Sequence, residues 1–227
     1  MSITKGTLRT RVLQMADAVG ADRWDADAGE EVDFHISIVL DREWKRILNA
    51  SPYYRVGRRT PTSDADGYYA ISDLDSGSDD SEERLYRVIA VSVDDTVYEE
   101  TRLDQYMFPS TSSPQPQYLW YFEGSKLMAL PVTASKQATI VVNHLPTKFS
   151  DLATDNSTVT FPDGYEDVLA CSGAALLLMK GGAEAQAAAA LEIQAEELRQ
   201  DMLQDLMRRS MKPIGMRYSD SVTDWAG

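Results

Sequence analysis

An almost wholly apolar run, residues 168–179, constrains the fold of this chain more than any other feature of its sequence. A helix that is apolar on every side has to be covered on every side. The run is shorter than the roughly 20 residues that a helix needs to span a bilayer. We therefore expect it to form a helix inside a folded protein, covered by other helices of the same chain.

Local signals place two helices around this run. Asp163 is a good N-cap, and Glu166 follows three residues later, as in a capping box. Gly181 and Gly182 end the first helix, because glycine adopts the left-handed conformation without strain. A second helix is predicted over residues 183–209. Its apolar residues share one face and its charged residues lie elsewhere: the apolar set is Leu191, Ala195, Leu198, Met202 and Leu206, and the charged set is Glu192, Glu196, Arg199, Asp201, Asp205 and Arg208.

Two further helices are predicted near the N-terminus, over residues 7–19 and 29–49. Asp33 and Glu43 lie off the apolar stripe of the longer helix, which comprises Val32, Ile36, Val39, Leu40, Trp44, Ile47 and Leu48. The two N-terminal helices are natural partners for the two C-terminal ones. We therefore predict an α+β protein whose helical bundle is formed by N- and C-terminal helix pairs, residues 1–51 and 160–210.

The segment between the helix pairs, residues 52–150, is predicted to be an inserted antiparallel β domain. It contains short β-like runs separated by turns, at residues 68–71, 85–93, 96–100, 117–122, 126–130 and 138–143. Residues 211–227 have no periodicity and include Pro213 and Gly215. This last segment is therefore predicted to be an extended C-terminal tail.

The charge and cysteine content exclude some classes of function. The formal net charge is −14, so no basic footprint indicates binding to nucleic acid or to a membrane surface. The single cysteine, Cys171, lies within the apolar run and is predicted to be a small buried hydrophobe. Residues 1–5 have no apolar signal core, so we expect the protein to be made and kept in a reducing cytoplasm.

The sequence contains no set of residues that indicates catalysis. The two histidines, His35 and His144, have no serine or cysteine partner at a spacing typical of a hydrolytic triad. A glycine-rich phosphate loop, a cysteine pair and a His-x-x-x-His motif are all absent from the sequence. We therefore predict that the protein is not an enzyme and needs no cofactor.

The acidic segment at residues 73–83 is the only candidate for metal binding in the sequence. Asp73, Asp75 and Asp79 alternate as in a calcium loop, but Arg84 stands where such a loop needs a bidentate glutamate. We therefore predict a solvated loop without a metal, and calcium binding is the alternative.

Several short segments in residues 116–178 resemble motifs of a known family. Pro116-Gln117-Tyr118-Leu119-Trp120-Tyr121 leads into Lys126-Leu127-Met128-Ala129-Leu130-Pro131, and Phe161-Pro162-Asp163-Gly164-Tyr165 precedes the alanine-rich helix. The chain resembles the head–tail adaptor (connector) proteins of tailed bacteriophages. Three patterns recur in that family: a P-x-x-Y strand, a hairpin ending in L-x-P, and a Pro-x-x-Tyr segment at the start of an alanine-rich helix. Leu13-x-x-Ala16-Asp17, and Arg23-Trp24 with Ile47-Leu48-Asn49-Ala50, also match this pattern.

The resemblance implies a structural role in the virion. Such proteins assemble as a ring, usually dodecameric, beneath the portal protein after DNA packaging. The ring extends the DNA channel and offers a docking platform for the tail or a tail-completion protein. DNA would pass through the channel without specific binding, and an acidic channel lets it slide because it does not attract phosphates. The resemblance places the protein at the head–tail interface, after synthesis in the cytoplasm of the host bacterium.

The C-terminal end of the chain is the predicted site of portal interaction. In the resembled family, C-terminal tails often reach up to the portal. Here a local basic cluster occurs in an acidic chain, accompanied by aromatic anchors; the predicted portal-binding residues are Arg208, Arg209, Lys212, Arg217, Tyr218 and Trp225.

A different class of function, a tail-associated module that binds a receptor or a sugar, is the alternative. In that case Tyr118, Trp120 and Tyr121 would be the platforms on which a ligand stacks. However, strand alternation puts Tyr118, Trp120 and Phe122 on one face, where aromatic residues more commonly belong to a core.

Overall fold

In a computed structural model of the protein, the residues described are 3–17, 29–75, 84–101, 118–131, 134–181 and 184–220, with the backbone alone for residues 17, 29, 75, 181 and 210–220. The chain divides into two compact units. One unit, here the helical unit, comprises Met1–Tyr54 and Thr147–Gly227, and the other, the β unit, comprises Arg55–Pro146.

Within the described residues, the chain forms five α-helices, seven β-strands and one short 3-10 helix. In chain order these are α1 (Lys5–Asp17), α2 (Gly29–Ala50), β1 (Val56–Arg59), β2 (Tyr68–Ala70), α3 (Ser72–Asp75), β3 (Arg84–Val93), β4 (Thr96–Glu100), β5 (Leu119–Glu123), β6 (Lys126–Leu130), β7 (Ala138–Leu145), the 3-10 helix Phe149–Asp151, α4 (Glu166–Gly181) and α5 (Ala185–Asp220).

The helical unit is organised around α4, the helix that contains the apolar run. Its side chains are buried on nearly all sides, and α1, α2 and α5 each pack against it. Gly173 allows α1 to come close, because a Cβ atom at this position would lie 3.1 Å from Cγ2 of Val12. The helix predicted over the apolar run is therefore present and is covered by other helices of its own unit.

The predicted helical bundle of two helix pairs with an inserted antiparallel domain is wrong. α1 and α2 have few contacts with each other, and α2 has few with α5. Instead of pairing, α1, α2 and α5 each cover part of α4. The physical reason is that α4 is apolar all round, so its burial requires helices on several sides, whereas a paired bundle covers one stripe of each helix.

The predicted extended tail is also wrong, because α5 continues as far as Asp220. The helix passes through Pro213 and Gly215, both of which are unfavourable inside helices. Once a packed stretch has formed the first turns, each further residue except proline can add one hydrogen bond, so a helix can extend past an isolated unfavourable residue. Residues 221–227 of the predicted tail lie outside the described residues.

The β unit contains one seven-stranded sheet with the strand order β1-β7-β3-β4-β5-β6-β2. The pairing of β4 with β5 is parallel, while the other pairs are antiparallel. The sheet is therefore mixed, and the prediction of a purely antiparallel domain is wrong in this respect. The alternation of side chains has the same period in both strand directions, so it cannot reveal that residues 101–118 connect two parallel neighbours.

The inward-facing side chains of all the strands except β1 contribute to one apolar core. This core brings together residues from distant positions in the sheet, so the sheet curls around it; the buried members are Tyr69, Leu74, Val88, Val91, Val93, Tyr98, Trp120, Leu127, Ala129, Ala138, Ile140 and Val142. Two tight turns join neighbouring strands as the sequence predicts. Asp94 and Asp95 have positive φ between β3 and β4, and Gly124 has φ of 60° between β5 and β6.

Candidate functional site

The first two residues of the predicted portal-binding cluster lie on the surface of α5. Arg208 and Arg209 are exposed. Nη2 of Arg209 lies 2.6 Å from Oδ2 of Asp205, one helical turn earlier, and this carboxylate raises the pKa of Arg209. Arg208 and Arg209 therefore add positive charge to the surface of the helical unit.

The remaining predicted portal-binding residues are described only in part. The backbone of Lys212, Arg217 and Tyr218 lies within α5. Trp225 lies outside the described residues. The structure therefore places five of the six residues on one helix and leaves the position of the sixth unassigned.

Asp205 connects this part of α5 to the start of α4. The hydroxyl of Tyr165 donates a hydrogen bond of 3.3 Å to Oδ2 of Asp205, the same oxygen that faces Arg209. Burial, followed by the charge of Asp205, raises the pKa of Tyr165. Because Tyr165 belongs to the Pro-x-x-Tyr motif, a motif residue anchors the helix that carries the arginines.

Trp44 of α2 contacts the segment that precedes α4. The indole Nε1 of Trp44 donates a hydrogen bond of 3.0 Å to the carbonyl oxygen of Thr160. The rings of Trp44 and Phe161 meet edge to face, with centroids 6.3 Å apart. Phe161 directly precedes Pro162, the first residue of the same motif, so these contacts fasten α2 to the segment that leads into α4.

A buried ion pair joins α2 to α5. Nε and Nη2 of Arg199 donate hydrogen bonds of 2.6 and 3.0 Å to the two carboxylate oxygens of Glu43. Glu43 is 0% exposed and Arg199 is 2% exposed. Burial alone would lower the pKa of Arg199, but the hydrogen bonds and charge of Glu43 and the charges of Glu196 and Glu192 raise it. The guanidinium is therefore a fixed cation inside the helical unit.

Further polar groups complete the surroundings of this pair. Nη2 of Arg199 donates to the Ser172 hydroxyl on α4 at 3.2 Å, so the cluster joins three helices. On the carboxylate side, Arg42 and Arg46 donate to Oε1 of Glu43 at 3.1 and 3.3 Å. Arg199 also pairs with Glu196. The arrangement satisfies buried charges, and no side chain in it is poised to act as a nucleophile or a base.

The burial of this pair was not predicted from the sequence, because Glu43 and Arg199 were both assigned to positions off the apolar faces of their helices. In the structure Arg199 continues the buried series of α5, which comprises Ala188, Ala195, Arg199, Met202 and Leu206. Glu43 likewise falls within the buried series of α2, between Leu40 and Ile47. The spacing of the two residues could have indicated their burial. Each occupies a position at which the apolar repeat of its helix points to the interior.

A second charged cluster lies near the start of α1. Arg9 donates two hydrogen bonds of 2.7 Å to the carboxylate of Asp33 on α2, and Nζ of Lys5 lies 3.0 Å from the same carboxylate. The hydrogen bond with Asp33 is the main reason that the pKa of Arg9 is raised. Nζ of Lys5 also donates to the carbonyl oxygen of Leu152 at 3.0 Å. These bonds hold α1 to α2 and to the segment before α4.

The aromatic residues of the alternative function are largely buried. Trp120 is 2% exposed and Tyr121 is 6% exposed. The hydroxyl of Tyr121 donates to Sδ of Met128 at 3.1 Å, and Tyr118 meets Tyr98 edge to face. Only Tyr118 of the three presents a substantial part of its ring to solvent. The side chains that a sugar would stack on therefore belong mainly to the interior.

The two histidines are in separate units and have structural surroundings. Nε2 of His144, which is buried, lies 3.1 Å from the carbonyl oxygen of Leu74 and 3.3 Å from Nη2 of Arg59. Nε2 of His35 lies 3.7 Å from Oε1 of Glu31, and burial lowers the pKa of His35.

The described part of the chain offers no cluster of metal ligands. There, no group of three or more histidine, cysteine, aspartate or glutamate side chains is placed to hold a metal ion. Asp73 and Asp75 of the acidic segment lie in α3, while residues 76–83, including Asp79, are outside the described residues. None of the described helices is long and apolar enough to cross a membrane.

Comparison with protein-family models yields no match to this chain, and no curated protein matches it. A functional proposal therefore depends on the chain's own residues and on the resemblance of its motifs.

Proposed function

We propose that this protein is a head–tail adaptor of a tailed bacteriophage, a structural protein of the virion. Copies of the chain assemble as a ring, usually a dodecamer in such proteins, beneath the portal. The ring extends the DNA channel and provides the docking platform for the tail or a tail-completion protein. The protein acts at the head–tail interface and carries out no reaction.

The observation that carries the proposal is the location of the motif residues. Phe161 packs on Trp44, and Tyr165 hydrogen-bonds Asp205, so the Pro-x-x-Tyr motif and the residue before it fasten parts of the helical unit that are far apart in sequence. The other motifs lie in β5 and β6 of the β unit. Residues that carry the resemblance thus contribute to the interior of each unit, which supports a shared architecture around them.

The electrostatics also support the proposal. A ring through which DNA passes must not retain it, and binding to DNA depends on lysine and arginine that neutralise phosphates. With a formal net charge of −14, the chain repels phosphates on average. This charge is compatible with a channel wall, whereas a protein that packs or reads DNA would need a basic surface.

Within this proposal, the C-terminal part of α5 is the portal contact. Arg208 and Arg209 are exposed there, and Lys212, Arg217 and Tyr218 follow on the same helix. Trp225 belongs to the proposed contact by its sequence alone. A helix with basic residues and aromatic anchors can bind in a groove of a partner.

Electron microscopy of the purified protein, alone and mixed with candidate portal rings, tests the proposal. We expect rings with a central channel that stack coaxially on the portal. A protein that stays monomeric and does not cosediment with portal rings would contradict the proposed function.

Truncation after Arg209 tests the portal contact. The shortened protein retains every α5 residue whose side chain is described as buried, the last of which is Leu206, so it should fold and form rings. We expect it to lose most of its portal binding in cosedimentation. Arg208→Ala together with Arg209→Ala in the full chain is the second variant, and Glu197→Ala, an exposed change on the same helix, is the control. Undiminished binding by both altered proteins would place the portal contact elsewhere.

A further inference from the structure

The outer face of the sheet carries two small patches of opposite charge. On β1, Val56 and Arg58 are exposed and share one face, because side chains alternate along a strand. On β4, Val97 and Glu99 are exposed and share one face, while Tyr98 between them is buried in the core. Each patch is thus a valine followed two residues later by a charged residue.

The strand register shows that both patches lie on the side of the sheet opposite to its core. Val56 pairs with Asn143, and Asn143 pairs with Arg87 of β3, so Arg87 is on the same face as Val56. Val97 pairs with Ser92, which alternates with the core residues Val91 and Val93. We define the arginine patch as Val56, Arg58 and Arg87, and the glutamate patch as Val97 and Glu99.

Among the residues that the structure describes, no side chain pairs with the charges of these patches. Strands β1, β3 and β7 contain four arginines and no carboxylate, whereas β4 and β5 contain three glutamates and no basic residue. Arg58, Arg87 and Glu99 form no salt bridge within the part of the chain that the structure describes. Beside these charges, Val56 is 42% and Val97 is 68% exposed. Each patch therefore combines an apolar contact point with a charge that no described side chain neutralises.

The two patches occupy different strands of the outer face of the sheet. Two strands, β7 and β3, separate β1 from β4, and the inner faces of the sheet meet in a single core. Val56 and Arg58 are therefore separated by two strands from Val97 and Glu99, whereas Arg87 lies on β3, the strand beside β4. Two different complementary patches on each subunit are what a head-to-tail contact requires, and such contacts form a closed ring when the rotation between neighbouring subunits closes.

We propose that the arginine patch of one copy of this chain docks on the glutamate patch of the next copy. Val56 lies against Val97, and Arg58 and Arg87 face Glu99. The partner that binds the arginine patch is a second copy of this chain, because the complementary charge and the apolar residue are both found on this chain. The inference rests on the proposed function, in which identical copies are neighbours in a ring.

Charge reversal of purified full-length protein tests the contact, with ring formation followed by analytical ultracentrifugation and electron microscopy. Arg58→Glu or Glu99→Arg places like charges opposite each other. We expect each variant to need a concentration at least about tenfold higher for half-assembly, a change of about 1.4 kcal/mol. Glu100→Arg is the matched control, because Glu100 is the exposed neighbour of Glu99 with its side chain on the other face of the same strand.

An equimolar mixture of the two variants provides the decisive measurement. The glutamate introduced at position 58 of one variant then meets the arginine introduced at position 99 of the other. At the next contact around the ring, the unchanged Arg58 of the second variant meets the unchanged Glu99 of the first. We therefore expect rings in which the two variants alternate.

Two further measurements support the interpretation of the mixture. Rings of the unaltered protein should weaken as salt rises, because exposed charges are screened. Circular dichroism checks that the variants are folded, and Arg87→Glu replaces Arg58→Glu if that variant is not.

The outcomes separate this inference from the proposed function. Rings that form equally well from Glu99→Arg, or a mixture that assembles no better than its components, would overturn the contact and leave the adaptor role standing. Unaltered rings that never bind a portal would refute the adaptor role and leave the contact standing. Unaltered protein that remains monomeric with and without portal would refute both, and a closed dimer would overturn the head-to-tail arrangement.

Discussion

Replacing Arg199 by methionine should severely destabilise the helical unit. The substitution removes the guanidinium that donates 2.6 and 3.0 Å hydrogen bonds to Glu43, which is completely buried. Removing one partner of a buried ion pair costs about 3–5 kcal/mol, because the other charge stays buried without compensation. Arg42 and Arg46 still contact Oε1 of Glu43, so we expect the free energy of unfolding to fall by about 3 kcal/mol, the lower end of this range.

Thermal unfolding followed by circular dichroism measures this loss. For a protein of this size a loss of about 3 kcal/mol corresponds to a fall in Tm of about 6–12 °C. The double variant Glu43→Leu with Arg199→Met should unfold near the temperature of the parent, because an apolar pair of similar volume often replaces a buried ion pair without loss. Arg208→Met is the control, since Arg208 is exposed and its change should stay within about 0.5 kcal/mol.

Two results would refute the reasoning. If Arg199→Met unfolds at the temperature of the parent, the guanidinium does not compensate a buried charge. If the double variant loses the sum of the two single losses, then Glu43 and Arg199 are not energetically coupled, because coupled neighbours show an interaction energy in a double-mutant cycle.

Burial and the shifted pKa values lead to three further predictions. Leu177→Asp places a charge in the fully buried centre of α4 and should lower the free energy of unfolding by several kcal/mol, so an unchanged Tm would contradict the packing described for this helix. Burial raises the pKa of the Cys171 thiol, so a thiol-specific reagent at pH 8 should label the protein slowly until urea unfolds it; rapid labelling of the folded protein would show that α4 is accessible. Burial lowers the pKa of His35, so the unfolded chain binds more protons near pH 6, and stability should fall as the pH drops below about 6.5. The fall in Tm between pH 7 and pH 5.5 should be smaller for His35→Gln, and an equal fall would assign it to other groups.

The sequence predicted most elements of secondary structure because their signals are local. The apolar run predicted α4, and the apolar stripe of α2 predicted a helix that ends within one residue of Ala50. Acidic or glycine-containing turns correctly separated β3 from β4 and β5 from β6. Strand β1 was missed. Its sequence, Val-Gly-Arg-Arg, has little β character, and it forms by pairing with β7, a strand that is distant in sequence.

The predicted portal-binding residues show how far charge and local conformational preference can each be read from the sequence. Charge and composition identified Arg208 and Arg209, and both are exposed, as a binding role requires. The conformation of residues 211–220 was predicted incorrectly, because Pro213 and Gly215 indicated an extended chain while the helix continues to Asp220. Local preference is a weak guide where a helix is already propagating from a packed stretch.

By itself, the sequence determined that α4 would be central, that no bilayer-spanning helix lies in the apolar run, and that the chain would be acidic. These properties follow from composition and from the spacing of neighbouring residues. Only the tertiary structure decided that α1, α2 and α5 surround α4, that β4 and β5 are parallel, and that Glu43 meets Arg199. Such features depend on which distant segments come together, and the periodicity of a segment shows which side chains are buried but not which distant residue each one meets.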